Sequence, residues 1–301
     1  MFSALLGEHL LRERVLDPRQ LGDVLERMDK TRLKVGVLAI NAGYMTAAQV
    51  EEVHRAQTAT DRRFGDLAVE KGFLSPLQMD ELLAAQRYEH LVMGQTLVDM
   101  ELMTMARFER VLQDYKERYG FDDASFDAAK KGDVDALVDR LVGARDLEDR
   151  ELFVGYISLF ARHLVRFVDR HATLDLGAPP LDYPLPWASY QVIHGPVTLF
   201  TALSGTEELL LCLGEAFSKE TLPSFDDLAR ASVEECLNQV NGLFTVNMSN
   251  QGVNLEMDPP GTSGGARYAV RDESLVTTAF RTCGGVLYLL LSHHVPREVK
   301  Q

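Results

Sequence analysis

The stretch Ser232-Val-Glu-Glu-Cys-Leu-Asn-Gln-Val-Asn-Gly-Leu-Phe-Thr-Val-Asn-Met-Ser-Asn-Gln-Gly-Val-Asn-Leu-Glu-Met-Asp-Pro-Pro260 joins two kinds of pattern. Its first part belongs to a helix running from Phe225 to about Asn250, with a break expected near Gly242. Its second part, Val253-Asn-Leu-Glu-Met257, carries strand signals. Glu235 and Asn238 stand three apart on the helix, so their side chains project from one face within reach of a single partner surface. Asn is a poor helix-interior residue and Glu a common surface one, so the spacing alone leaves a solvated face open beside a functional pair. Asn241, one turn past Asn238, shares the polar face without an assigned role.

Outward from this helix the chain keeps mixing the two periods. Ser189 to Ala202 reads as two strands across a His194-Gly195-Pro196 turn, and Glu207 to Phe217 as a helix. Further strands are expected at Arg267–Arg271, Leu275–Phe280 and Val286–Ser292, the last two joined by a tight turn at Cys283-Gly284-Gly285. Upstream, a strongly apolar helix runs from Glu151 to about His171 and is ended by the Pro-rich stretch 177–186. This order implies an α+β fold, an antiparallel sheet with helices on one face. Gly261-Thr-Ser-Gly-Gly265 lacks the lysine and following helix of a phosphate-binding loop and reads as a flexible connection. His293-His294, at a strand end without a carboxylate at ligand spacing, reads as a surface pair.

The first third of the chain is periodic. Gly7, Gly36, Gly65 and Gly94 are spaced by 29 residues, and so are Asp17, Thr46, Ser75 and Thr104. The latter are helix-capping types; three are followed three residues on by glutamine (Gln20, Gln49, Gln78) and two by proline (Pro18, Pro76). Apolar residues keep the same register before the caps (Leu16, Met45, Leu74, Met103) and after them (Leu21, Val50, Met79, Phe108; Val24, Val53, Leu82, Val111). Each repeat is therefore a short helix near the glycine, a turn and a longer capped helix. Such a unit cannot bury its apolar face alone, so four must associate in an all-α domain over residues 1–118. Residues 119–150 read as a charged helical connector and 151–298 as the α+β domain.

Composition narrows the partners. The chain has 301 residues, 46% hydrophobic and 25% charged, with a net charge of −14, which argues against gripping a nucleic-acid polymer. No run of about 18 apolar residues occurs, so no membrane insertion is expected. Charge interrupts the first eight residues before a signal-peptide core forms, which makes a cytoplasmic location the simplest expectation. Cys212, Cys236 and Cys283 lack C-x-x-C spacing and read as reduced core thiols; no metal site and no intrinsic cofactor are expected.

The helix and strand quoted first resemble those of the CheX and CheC chemotaxis phosphatases, in which E-x-x-N precedes a glycine four residues on and a strand ending in proline. Glu235, Asn238 and Gly242 match the first element and Leu255-Glu-Met-Asp-Pro259 the second, while Gly195-Pro-Val-Thr-Leu-Phe200 and the Thr206-Glu-Glu-Leu-Leu-Leu helix fit the family order. The resemblance covers about half the chain and implies a phosphatase acting on the aspartyl phosphate of a CheY-like response regulator. It implies that Asn238 positions a water in line with phosphorus and that Glu235 pairs with a regulator lysine. The regulator itself would bring Mg²⁺, and the family implies a homodimer. The alternative is a signalling adaptor whose CheX-like domain only binds or dimerises.

The repeats resemble the N-terminal domain of type II secretion and type IV pilus ATPases, whose units read roughly R-L-G-x-x-L-x-x-x-G before a capped helix ending in glutamine. The clearest match is Arg63-Phe-Gly-Asp-Leu-Ala-Val-Glu-Lys-Gly-Phe-Leu74, followed by Gln86. Some members bind cyclic di-GMP through two consecutive units. Here only the middle two keep the pattern: Lys34, Gly36, Gly43 and Gln57, then Arg63, Gly65, Gly72 and Gln86. The outer units carry Leu5 and Val92 at the basic position and Met28 and Tyr115 at the glutamine position. Two roles stay open: a cyclic di-GMP site, or helix packing by the glycines with a solvated Arg63 on a protein-docking surface.

Overall fold

The computed structural model describes residues 1–31, 33–60, 62–86, 88–142, 149–175, 186–264, 275–282 and 284–295. The chain divides into two bodies, Phe2–Asp133 and the residues from Val134 onward. The divide falls inside the stretch 119–150 that sequence marks as a connector.

The N-terminal body is helical among its described residues: α1 (Phe2–Arg12), α2 (Pro18–Met28), α3 (Val35–Asn41), α4 (Ala47–Thr60), α5 (Phe64–Glu70), α6 (Pro76–Ala85), α7 (Glu89–Asp99), α8 (Met105–Arg118) and α9 (Asp123–Lys130). The starts of α2, α4, α6 and α8 are 29 residues apart, because each follows a cap of the repeat. Asp17 and Ser75 form full capping boxes with Gln20 and Gln78. Thr46 exchanges the same pair of bonds with Gln49, and Thr104 accepts from the Arg107 amide. Ser75→Ala is expected to cost about 1 kcal/mol in urea unfolding, the usual worth of such a cap.

The turns between paired helices repeat as closely. Arg14, Gly43, Gly72 and Glu101 all take φ between 55° and 72°, the left-handed conformation that closes a helix. Beside them the amides of Val15, Tyr44, Phe73 and Leu102 donate to the carbonyls of Leu10, Ala39, Ala68 and Leu97. Gly43 and Gly72 thus answer a backbone requirement that Arg14 and Glu101 meet with a strained residue.

The other glycine series serves packing. A Cβ on Gly7, Gly36, Gly65 or Gly94 would lie 2.9, 2.7, 2.8 and 2.6 Å from Leu21, Val50, Met79 and Phe108 respectively. In each repeat the later helix fills the space that the earlier one leaves empty. The units associate in two pairs: α3 packs on α5 and α6, while α1 packs on α7 and α8 and α2 on α7. The core of the middle pair gathers Leu38, Val53, Leu67, Leu74 and Leu82.

The C-terminal body contains α10 (Val134–Val142), α11 (Arg150–Phe167), β1 (Thr173–Asp175), β2 (Trp187–His194), β3 (Leu199–Gly205), α12 (Glu207–Ser218), α13 (Asp227–Asn250), β4 (Glu256–Met257), β5 (Gly261–Gly264), β6 (Val276–Thr282) and β7 (Gly285–Ser292). The strands form one antiparallel sheet in the order β1-β6-β7-β3-β2-β4, with β5 also paired to β2. In register Gln191 faces Thr201, Thr201 faces Leu291, and Leu287 faces Phe280. These residues share one sheet face. Helix α11 reaches that face through Phe160, whose ring lies 5.2 Å from that of Phe280, and α13 reaches it through Asn241. On the other face Phe200, Ala202, Ala279, Tyr288 and Leu290 form a second buried cluster.

Four expectations are corrected. Helix α13 runs unbroken through Gly242, where an added Cβ would meet nothing nearer than Met257 Cε at 3.9 Å; the glycine costs propensity without requiring a bend. Gly261–Gly264 is a strand rather than a flexible connection, because its glycines let the rings of Tyr190 and Trp187 lie close over it. The strand at 253–257 is cut to Glu256–Met257, and β1, short and isolated in sequence, pairs with β6 where no strand was expected. The strand at 267–271, the Pro-rich stretch up to residue 185 and Cys283 lie outside the described residues.

Candidate functional site

The site is built on the exposed face of α13. Asp226 starts this helix by accepting from the amides of Leu228 and Ala229. Val233, Cys236, Leu237, Val240 and Phe244 bury the opposite face, which leaves Glu235 exposed and Asn238 half-buried at its border. Nδ2 of Asn238 donates to Glu235 Oε2 at 3.3 Å, and Gln239 donates to Glu235 Oε1 at 3.2 Å. The pair read from sequence is therefore in direct contact.

Beneath Asn238 lies a set of polar groups that no local pattern announces. Gln191 of β2 donates through Nε2 both to Asn238 Oδ1 at 2.9 Å and to the Asp258 carbonyl at 2.7 Å. Asn241 donates to Gln191 Oε1 at 2.8 Å and to Thr201 Oγ1 at 2.9 Å, and Tyr156 of α11 donates to Asn241 Oδ1 at 2.5 Å. Gln191, Thr201, Asn241 and Tyr156 are all buried, so Asn241 faces the sheet rather than sharing the polar face expected for it. Burial raises the Tyr156 phenol above its ordinary range and keeps it an O–H donor. The available signal was a glutamine and a threonine at inward strand positions, since buried polar side chains require partners.

Around this pair the face of α13 turns apolar. Leu243 and Val246, 48% and 57% exposed, continue the stripe of Glu235 and Gln239, and Met257 of β4 is 37% exposed. At the end of β2 His194 Nε2 contacts Asp258 Oδ2 at 2.8 Å. Cys236 is on the buried face of α13, its thiol pushed up to about 12 by burial and then by Glu235, which keeps it protonated. Cys212 is half-buried. His293 is half-buried rather than a surface residue, 3.2 Å from the Asp149 carboxylate, a partner supplied from far away in sequence. Among the described residues no group of three His, Cys, Asp or Glu could hold a metal ion. No helix among them is long and apolar enough to cross a membrane.

In the N-terminal body Lys34 and Arg63 are exposed at the N-cap positions of α3 and α5. Gln86 donates to the Leu33 carbonyl at 2.5 Å, beside Lys34, and ties the third unit to the second. Gln57 is half-buried near the end of α4. Gly36 and Gly65 are occupied by packing against Val50 and Met79.

No family profile matches the chain, and no curated protein matches it. Among solved structures, the chain is similar to the chemotaxis protein CheX from Vibrio vulnificus, at 13% identity over 47% of this chain and 98% of that one, with a TM-score of 0.41. It is similar to a CheC-like superfamily protein from Shewanella sp. PV-4 at 17% identity, over 48% and 98% of the two chains, with a TM-score of 0.41. The CheX–CheY–BeF3–Mg²⁺ complex from Borrelia burgdorferi matches at 16% identity over 49% and 98%, with a TM-score of 0.39.

Proposed function

We propose that the C-terminal body is a phosphatase for the aspartyl phosphate of a CheY-like response regulator, acting through Asn238 and Glu235. The observation that carries this reading is the contact between a half-buried amide and an exposed carboxylate on an open helix face, with the amide anchored from below. An anchored amide supplies what phosphoryl transfer to water asks of a protein, positioning and charge stabilisation with little covalent chemistry. The carboxylate beside it offers a partner lysine a charged contact that fixes register. Leu243, Val246 and Met257 add an apolar surface of the kind that marks protein docking. Mg²⁺ belongs to the regulator in this reading, and this chain supplies no step through it.

The direct test is the decay of a phosphorylated CheY-like regulator with and without the full-length protein. Faster decay supports the enzyme. Binding without acceleration, across the regulators of the same organism, moves the function to the adaptor reading, in which the domain binds or dimerises only.

The N-terminal body we read as four paired-helix repeats that adjust this activity by docking a partner or binding cyclic di-GMP. The second role is supported by two exposed cations at equivalent positions of consecutive units, Lys34 and Arg63. The packing role of Gly36 and Gly65 supports the first. Calorimetric titration with cyclic di-GMP separates them. If the dinucleotide is the ligand, binding heat appears and Arg63→Ala weakens it by about tenfold or more, the loss expected for a charged phosphate contact. No heat and no thermal stabilisation at high ligand concentration leave docking alone.

A further inference from the structure

An amide can face its partner with either its oxygen or its nitrogen, and the buried network beneath Asn238 decides which. One acceptor-only group sets its polarity. The Asp258 backbone carbonyl can only accept, so the Gln191 atom 2.7 Å away is nitrogen. Gln191 therefore presents its oxygen to Asn241, whose atom there, 2.8 Å away, is nitrogen. The same Asn241 nitrogen donates to Thr201 Oγ1 at 2.9 Å, and the Thr201 hydroxyl in turn lies 3.1 Å from the Gln191 backbone carbonyl that can accept its proton. Gln191 is left with one further N–H, which it gives to Asn238 Oδ1 at 2.9 Å. Tyr156 completes the chain by donating to Asn241 Oδ1.

We infer that Gln191 and Asn241 are positioning residues that hold the Asn238 carboxamide with its oxygen inward and its nitrogen outward, so that Asn238 meets the reacting phosphoryl group or its attacking water as a hydrogen-bond donor. The inference rests on the phosphatase reading for its consequence but not for its geometry. With Oδ1 committed inward, Asn238 does not act as a base toward water. Its N–H holds an oxygen of the reaction centre while Glu235, already 3.3 Å from the same nitrogen, fixes the direction in which it points. Burial of the supporting groups removes competing water, so the orientation is set before a partner arrives.

The test uses full-length protein and two readouts. The side-chain NH₂ resonances of Asn238, identified by their absence in Asn238→Asp, report the orientation without any regulator present. Gln191→Met, close in size but without a donor, is expected to move both resonances, because the amide loses the donor on Oδ1 that holds it in one orientation. Unchanged resonances in Gln191→Met overturn the inference. In turnover, Gln191→Met is expected to lower kcat by about tenfold while KM for the phosphorylated regulator stays within about twofold, the split left by loss of a group that acts only at the reaction centre. A parallel rise in KM, or no change in kcat, overturns the positioning role. Should Gln191→Met fail to fold, Tyr156→Phe removes only the far hydroxyl and is expected to move the same resonances by less and to give the kcat split at about two- to threefold. Unchanged resonances there overturn the inference equally. A wild-type protein that accelerates no regulator sinks the phosphatase reading, while the resonance experiment still decides the orientation on its own.

Discussion

Asn238→Ala is expected to reduce acceleration of regulator dephosphorylation by about 10²-fold or more, the usual effect of removing one preorganised donor from a reaction centre. Affinity for the regulator should change by no more than about twofold, because Asn238 is a small residue at the half-buried border of the exposed α13 face rather than one of the large apolar or charged side chains that anchor interfaces. Asn238→Asp sharpens the result. It keeps the size and the acceptor but removes the donor, and it sets a second carboxylate beside Glu235, where Nδ2 now lies 3.3 Å from Oε2. The aspartate variant should therefore be at least as inactive as the alanine one, and repulsion between the carboxylates should disturb Glu235 as well. An aspartate variant retaining most of the activity would mean that the oxygen, not the nitrogen, does the chemistry. Phosphate-release kinetics at saturating regulator, with binding measured on a non-hydrolysable phosphate mimic, separate the two quantities.

Two glycine substitutions in the N-terminal body should move its stability in opposite directions. A Cβ on Gly94 would lie 2.6 Å from the buried Phe108 ring, a rigid neighbour with no flexible end to give way. Gly94→Ala should cost about 1–3 kcal/mol, the range for overpacking a filled core. Gly22 stands inside α2 on its exposed side, where a Cβ would meet nothing within 4 Å. Gly22→Ala should gain about 0.5–1 kcal/mol by removing backbone freedom from the unfolded chain. Urea unfolding of the full chain, followed by far-ultraviolet circular dichroism, measures both. A neutral Gly94→Ala would remove the packing account of the repeat glycines.

These cases show where sequence is legible. The caps at Asp17, Thr46, Ser75 and Thr104 could be read because a cap and its glutamine act within one turn, and local chemistry needs no knowledge of the fold. How the units associate could not, since the contact of α1 with α7 and α8 depends on how distant units pair rather than on any one unit's sequence. The same division runs through the site. Glu235 and Asn238 are three residues apart on one helix, so periodicity alone places them together. Gln191 comes to Asn238 from 47 residues away, and Tyr156 to Asn241 from 85. Neither approach leaves a mark in a window of neighbours. The strand over Gly261–Gly264 was missed for a related reason: its composition says loop, and only the rings of Trp187 and Tyr190 on the adjoining strand make it a good edge.

The place of Trp187 has an optical consequence. It is the single tryptophan of the chain, on the same strand as Gln191. Its ring meets Phe225 edge-on at 5.1 Å, and the guanidinium of Arg230, from the first turn of α13, lies 5.6 Å above it. Intrinsic fluorescence therefore reports from one known spot, at the junction of the strand that anchors the amide and the helix that carries it. Separating α13 from β2 would change the polarity around the indole and shift its emission, so the protein carries an unlabelled probe of whether the candidate site on α13 is assembled.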